Sequence, residues 1–166
     1  MQKNNSLKIS IVDDDALMRV MLEDFFNGHY EHAALNFYST GEEALSNISS
    51  VPDLAILDYN LDSSDNGGMN GIQLLKKLNE KFPGIPVIFL SGQENATIAA
   101  NTLKNGARDY IIKNEKLFSR LEDSLVTIIG KSEERKANAV QKKSLNVILI
   151  VIISFLLGIF IWRFMR

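Results

Sequence analysis

Leu54-Ala55-Ile56-Leu57-Asp58-Tyr59-Asn60 is four apolar residues running straight into a carboxylate, and its reading decides the fold. A run this short and uniformly apolar predicts a strand buried on both faces, as the central strands of parallel sheets are. Val87-Ile88-Phe89-Leu90 repeats the pattern and ends at Ser91-Gly92. Outward from these two, Lys8–Val12, Ala33–Phe37, Leu54–Leu57, Pro86–Leu90 and Asp109–Ile112 make five strand-like runs. Between them apolar residues return at helical spacing. Leu17, Val20, Met21 and Phe25 form one stripe, and Ala44, Leu45 and Ile48 a shorter one. Ile72, Leu75, Leu78 and Phe82 follow Gly71; Thr97 to Asn105 is stopped by Gly106; Leu117, Leu121, Leu125 and Ile128 make the last. A βα alternation repeated five times predicts an α/β fold, a doubly wound five-stranded parallel sheet with helices on both faces.

Sheets of this kind place their sites at the carboxyl ends of the strands, where strand order reverses. The polar residues at those ends are therefore the informative ones. The first strand ends in Asp13-Asp14-Asp15, the third in Asp58, the fourth in Ser91 and the fifth in Lys113. Singly, each has an ordinary reading: Asp15 or Ser91 as a helix cap, Lys113 as a solvated charge. Together they put acids, a hydroxyl and a cation on one edge. Clustered carboxylates repel and need a cation, and hard oxygen ligands select Mg²⁺. A metal ion, a hydroxyl and an ammonium around one carboxylate form a site for a phosphoryl group.

Charge is unevenly distributed. Residues 1–129 hold 11 Lys and Arg against 18 Asp and Glu, a net −7, whereas residues 130–166 carry +5. An acidic body excludes nucleic acid as a partner of the folded part, since such binding rests on neutralising phosphates. With no Cys there is no disulfide, thiolate metal site or Cys nucleophile.

Ile11-Val12-Asp13-Asp14-Asp15, Leu54-Ala55-Ile56-Leu57-Asp58, Val87-Ile88-Phe89-Leu90-Ser91-Gly92 and Gly106-Ala107-Arg108-Asp109-Tyr110-Ile111-Ile112-Lys113 resemble the receiver domain of two-component response regulators. The resemblance covers about residues 7–129. It implies a flavodoxin-like sheet of order 2-1-3-4-5 and a phosphorylation switch rather than an enzyme. Asp58 would accept a phosphoryl group from a histidine kinase or phosphotransfer protein. Asp13, Asp14, Asp58 and Asn60 would hold Mg²⁺, and Lys113 would pair with the phosphoryl oxygens. Ser91 would turn inward, Tyr110 would follow, and the face of the fourth helix, fifth strand and fifth helix would repack toward a downstream protein target. Asn60 and Gln93 would flank the site and tune dephosphorylation.

Two positions depart from the family's pattern. Asn114 stands where Pro usually follows the Lys, so a trans Lys113-Asn114 bond is expected, because a cis non-proline bond costs about 3–4 kcal/mol. The stretch from Leu61 to Asn70 is longer than the family's usual loop, placing Gly71 13 positions after Asp58. A haloacid-dehalogenase-like phosphatase also begins Asp-x-Asp, but it leaves Asp58 unexplained and needs a later acidic pair. Glu122-Asp123 lies inside a helical stripe instead. A further alternative is a receiver fold serving as a phosphorylation-independent scaffold at the membrane.

The N-terminus has no apolar segment of signal-peptide length. Residues 130–144 are charged and read as a linker or a helical extension. Leu145 to Trp162 is 18 residues without a charge. As a helix it would rise about 27 Å, near the ~30 Å hydrocarbon core, which predicts a transmembrane helix over 145–162. Lys142 and Lys143 flank one end; Trp162, Arg163 and Arg166 flank the other. With Lys131, Arg135 and Lys136 also preceding the run, the expected orientation is single-pass in the cell (inner) membrane, receiver portion cytoplasmic. Ser154 and Gly158, four apart, would let two such helices approach as a homodimer.

Overall fold

The computed structural model describes residues 7–61 and 68–164, with all side chains to Lys131 and a scattered set beyond. The element order is β1 (Lys8–Val12), α1 (Ala16–His29), β2 (Ala34–Tyr38), α2 (Gly41–Asn47), β3 (Leu54–Asp58), α3 (Gly71–Lys81), β4 (Val87–Ser91), α4 (Ala96–Lys104), β5 (Asp109–Ile112) and α5 (Leu117–Phe164). All strands pair parallel in the order β2-β1-β3-β4-β5. The expected sheet and its strand order are therefore observed. β3 and β4 each run one residue further than the apolar pattern indicates. Pairing of Asp58 with Leu90 and of Ser91 with Ile112 carries the ladder to the polar residues themselves.

Alternation along each strand divides the core in two. Val12, Ala55, Leu57, Val87 and Phe89 join Ala44 of α2, Ile48 just after it, and Leu74, Leu75 and Leu78 of α3 in one buried cluster. Right-handed crossovers put α2, α3 and α4 on that face and α1 on the other, where the first turn of α5 meets it. Phe25 of α1 and Phe118 of α5 stack at 5.2 Å, as this requires. β3 and β4 are buried along their whole length, whereas edge strand β2 alternates between exposed and half-buried residues.

Helix starts are set by side chains that accept first-turn amides. Asp15 accepts from Leu17 and so caps α1, its ordinary reading. Asn70 and Gln73 form a reciprocal capping box on α3. Asn95, not Ser91, caps α4. At the other end of α4, Gly106 takes φ +102°, a left-handed conformation that favours glycine. Lys81 donates to the Leu45 and Ile48 carbonyls, tying the end of α3 to the end of α2.

By internal contacts Met1–Glu122 and Asp123–Arg166 form two compact units. The second consists of α5 beyond Glu122, in which Leu125 and Ile128 are buried. Residues 130–144 are helical, as one of their two readings expects. The membrane expectation needs correction. Among the described residues no helix is long and apolar enough to cross a membrane, which overturns the single-pass placement in the inner membrane with a cytoplasmic receiver. The uncharged run, 18 residues, is not comfortably long: it sits at the lower end of what a ~30 Å hydrocarbon core takes. Nor is it an element of its own: it ends a 48-residue helix whose middle is charged. The side chains of Arg135, Lys136, Lys143, Ser154, Trp162 and Arg166 and the surroundings of Gly158 lie outside the described set, as do Asp62 to Gly67 of the loop.

Candidate functional site

The carboxyl ends of β1, β3 and β5 bring three of the expected groups into direct contact. Asp13, at the end of β1, is 1% exposed, and Asp58, the last residue of β3, is 6% exposed. The Lys113 ammonium stands between them, 2.8 Å from Asp13 Oδ2 and 3.0 Å from Asp58 Oδ2. The remaining carboxylate oxygens are held by local amides: Asp15 N–H donates to Asp13 Oδ1 at 3.0 Å, and Asn60 N–H to Asp58 Oδ1 at 3.1 Å. Asp14 is exposed at the rim, yet one oxygen each from Asp13, Asp14 and Asp58 lies within 4.8 Å of the others. Asn60 is also at the exposed rim.

Electrostatics follow from this crowding. Burial pushes the Asp13 carboxyl above the usual carboxylate range; the Lys113 hydrogen bond and charge oppose that without cancelling it, and the Asp58 charge adds to it. Burial alone would lower the Lys113 ammonium, but the hydrogen bond and charge of Asp13, with Asp58 behind it, hold it above its ordinary value. The cluster thus carries one well-held cation for two buried acids and a third at the rim, a deficit that a divalent cation would fill. The donor set fits one: Mg²⁺ takes oxygen ligands at about 2.0–2.1 Å, so its ligands lie roughly 3–4 Å apart, close to the spacing present.

Ser91 and Tyr110 occupy the β4–β5 side of the site. Ser91 is fully buried, and its hydroxyl accepts from Gln93 N–H at 3.1 Å. Its carbonyl accepts from Lys113 N–H at 2.7 Å, which fixes the base of the lysine. The Tyr110 hydroxyl donates to the Gln93 carbonyl at 2.8 Å. Neither side chain hydrogen-bonds the carboxylates among the described residues. No cis peptide bond occurs there either, so Lys113-Asn114 is trans as expected.

Three contributors escape sequence reading. The Arg19 guanidinium donates to the Asp13 carbonyl and braces the turn after β1. Its position four residues after the Asp15 cap, on the first turns of α1, is the signal that could have found it. Gly71 lets α3 begin against the acceptor: a Cβ there would sit 2.5 Å from the Asp58 carbonyl oxygen and 2.8 Å from the Phe89 ring. The ring of Tyr59, adjacent to Asp58, lies edge-on to both Phe89 and Tyr110. No spacing rule marks such a contact in advance.

Known proteins share this arrangement. A model of the response regulator receiver domain family matches residues 9–125. A protein-glutamate methylesterase/protein-glutamine glutaminase of Carboxydothermus hydrogenoformans is 32% identical over 86% of this chain and 42% of its own length. The transcriptional regulatory protein ZraR of Salmonella typhimurium is 30% identical over 79% of this chain and 28% of its own. Among solved structures, a CheY-like receiver domain protein from Methanospirillum hungatei superposes with TM-score 0.65 at 26% identity, covering 78% of this chain and 99% of its own. This chain spans less than half the length of the curated relatives it matches. A family match that runs from the first strand into the fifth helix makes this chain a member of the response regulator receiver family, and its folded body the receiver domain of a two-component response regulator.

Proposed function

We propose that this receiver works as a Mg²⁺-dependent phosphorylation switch, with residues 7–129 as the working module and Asp58 as the acceptor. The observation that carries the reading is the buried Asp58 carboxylate, shared with Asp13 through one ammonium at the mouth of the sheet. An Asp58 carboxylate oxygen attacks phosphorus in line; the bond from phosphorus to the imidazole nitrogen of a kinase or phosphotransfer protein breaks, and an acyl phosphate forms. Asp13, Asp14, Asp58 and the Asn60 carbonyl would hold Mg²⁺, which when bound neutralises charge on the transferring oxygens. Lys113 keeps Asp58 oriented before transfer and meets the phosphoryl oxygens afterwards. Ser91 gives up its Gln93 contact to bond the new phosphoryl group, and Tyr110 moves with it, changing the face made by α4, β5 and the start of α5 for a downstream protein. Asn60 and Gln93 border the acyl phosphate and set its lifetime.

The test is labelling by a small-molecule phosphodonor such as acetyl phosphate. Wild type should gain an acid-stable, base-labile phosphate only with a divalent cation present, and Asp58→Asn should gain none. Equal labelling of both would remove Asp58 from this role. No labelling of either would leave a receiver fold acting as a phosphorylation-independent scaffold.

A further inference from the structure

The sheet face that carries the α2 and α3 core is apolar on its inner strands and turns polar toward its β2 edge. Alternation puts Ser10 on the same side as Val12, and in register Ser10 lies between Ala55 of β3 and Asn36 of β2. Ala55 belongs to the buried core, whereas Asn36 is exposed. Between these strand positions and the end of α2 lies a cleft of about 190 Å³. The length of α2 explains it. Its seven residues rise about 10 Å, and the five residues of β2 extend about 16–17 Å. A helix that starts at the carboxyl edge therefore stops before it covers the far end of the strand.

Ser10, Asn36, Tyr38, Asn47, Ser49 and Ser50 line the cleft, with Ile48 and Pro52 as its apolar wall. Ser10, 2% exposed, is the deepest of the polar groups. Burial pushes the Tyr38 hydroxyl above its ordinary value; the Glu43 charge adds to this, and a hydrogen bond with Ser10 opposes it without cancelling it. The walls are fixed in advance. The Lys81 ammonium donates to the Leu45 and Ile48 carbonyls at 2.7 and 2.9 Å. Lys8 N–H donates to Asp53 Oδ2 at 3.0 Å, and Asp53 N–H to the Lys8 carbonyl at 2.8 Å, which ties the loop after α2 to β1.

Hydroxyls and carboxamides both donate and accept hydrogen bonds, as the hydroxyls of a polyol do. Among the described lining residues none is a carboxylate, and the cation, Lys8, is exposed at the rim. An ammonium group would find no counter-charge there. The volume equals that of about six waters and falls below the ~300–1,000 Å³ of drug-sized sites, which limits the occupant to about one ring. The geometry points to a binding site for a small neutral polyol, the size of a single sugar or cyclitol ring, at the β1–β2 edge. This site shares no residue with the acid cluster and does not rest on the switch reading.

Amide NMR of the full chain tests it with two ring-matched probes: myo-inositol, with a hydroxyl on every ring carbon, and cyclohexanol, with a single one. Myo-inositol should shift the Ser10, Asn36 and Ser49 amides saturably, with a Kd of about millimolar order. Ser10→Ala and Asn36→Ala should each weaken it about 2- to 10-fold, the worth of one hydrogen bond. Asn36 is exposed, so its variant keeps the test intact should Ser10→Ala disturb the fold. Cyclohexanol should leave these amides unmoved. No saturable shift with myo-inositol overturns the site, as does an affinity unchanged in Asn36→Ala. Equal binding of cyclohexanol overturns the polyol class.

Discussion

At the carboxyl edge of the sheet, β1, β3 and β5 bring Asp13, Asp58 and Lys113 within 3.0 Å contacts, and almost every atom there has a named partner. Along the last twenty residues of α5, the described side chains of Leu145, Ile148, Leu149, Ile153 and Ile161 are exposed. Both regions stood out in the sequence, one by charge and the other by its absence. The difference lies in how many neighbours constrain each residue. A carboxylate at a strand end is fixed by the ladder, the following turn and its counter-ion. An apolar helix face is fixed only by whatever covers it, and hydrophobicity alone does not name the cover.

The sharpest way to break this contrast is to remove the shared cation. Lys113→Met keeps the stem and leaves two buried carboxylates unpaired, which should cost about 2–4 kcal/mol at pH 8 in urea unfolding. Asp13, already raised, loses the lysine that holds it down. A raised folded-state carboxyl stabilises below its unfolded value of 3.8 and loses that contribution as pH rises through the folded value. The variant should therefore recover stability on acidification toward that range, and a deficit independent of pH would contradict the account.

Gly71→Ala comes next. The added methyl meets backbone and ring closer than any real contact, so about 1–3 kcal/mol should be lost and phosphate acceptance should slow. Chemical denaturation with parallel labelling would check both. Asp13→Asn tests the opposite sign. Removing a carboxylate that burial disfavours should stabilise by about 1 kcal/mol at pH 7 and weaken Mg²⁺ binding in calorimetry. The gain should shrink as pH falls toward 3.8 and the wild-type acid takes up its proton. The smallest effect belongs to the other region. Truncation after Leu145 should leave the thermal midpoint and phosphate acceptance of the receiver unchanged, within about 0.5 kcal/mol, because the described side chains it removes, Ile148, Leu149 and Ile153 among them, are exposed and such positions contribute little.

The sheet was legible because its signals agree. β3 and β4 are short and apolar up to their last residue, the third and fourth helix stripes are bounded by Gly71 and Gly106, and strand ends collect the polar residues. Asp13, Asp58 and Lys113 could be placed together because a parallel sheet puts all strand ends on one edge. What the sequence could not carry was relation across elements: Arg19 reaching the Asp13 carbonyl, or Tyr59 reaching Tyr110, depends on rotamers and crossing angles. The error at 145–162 has a different origin. Its length and its lack of charged residues both derive from one property, so they agreed without being independent.

The contact of Gly71 with the Asp58 carbonyl has a consequence for how such a protein can diversify. Acceptor and helix start are welded at one point, Leu61 is buried just beyond the acceptor, and Met69 N–H is held by Glu42 just before the helix. With both ends fixed, the number of residues between them is free to change without moving a single ligand atom. The connection can therefore vary in length between these fixed ends, Gly71 lying 13 positions after Asp58 here, while the chemistry below stays untouched. Partner choice and phosphoryl chemistry become separately heritable traits of the same strand end.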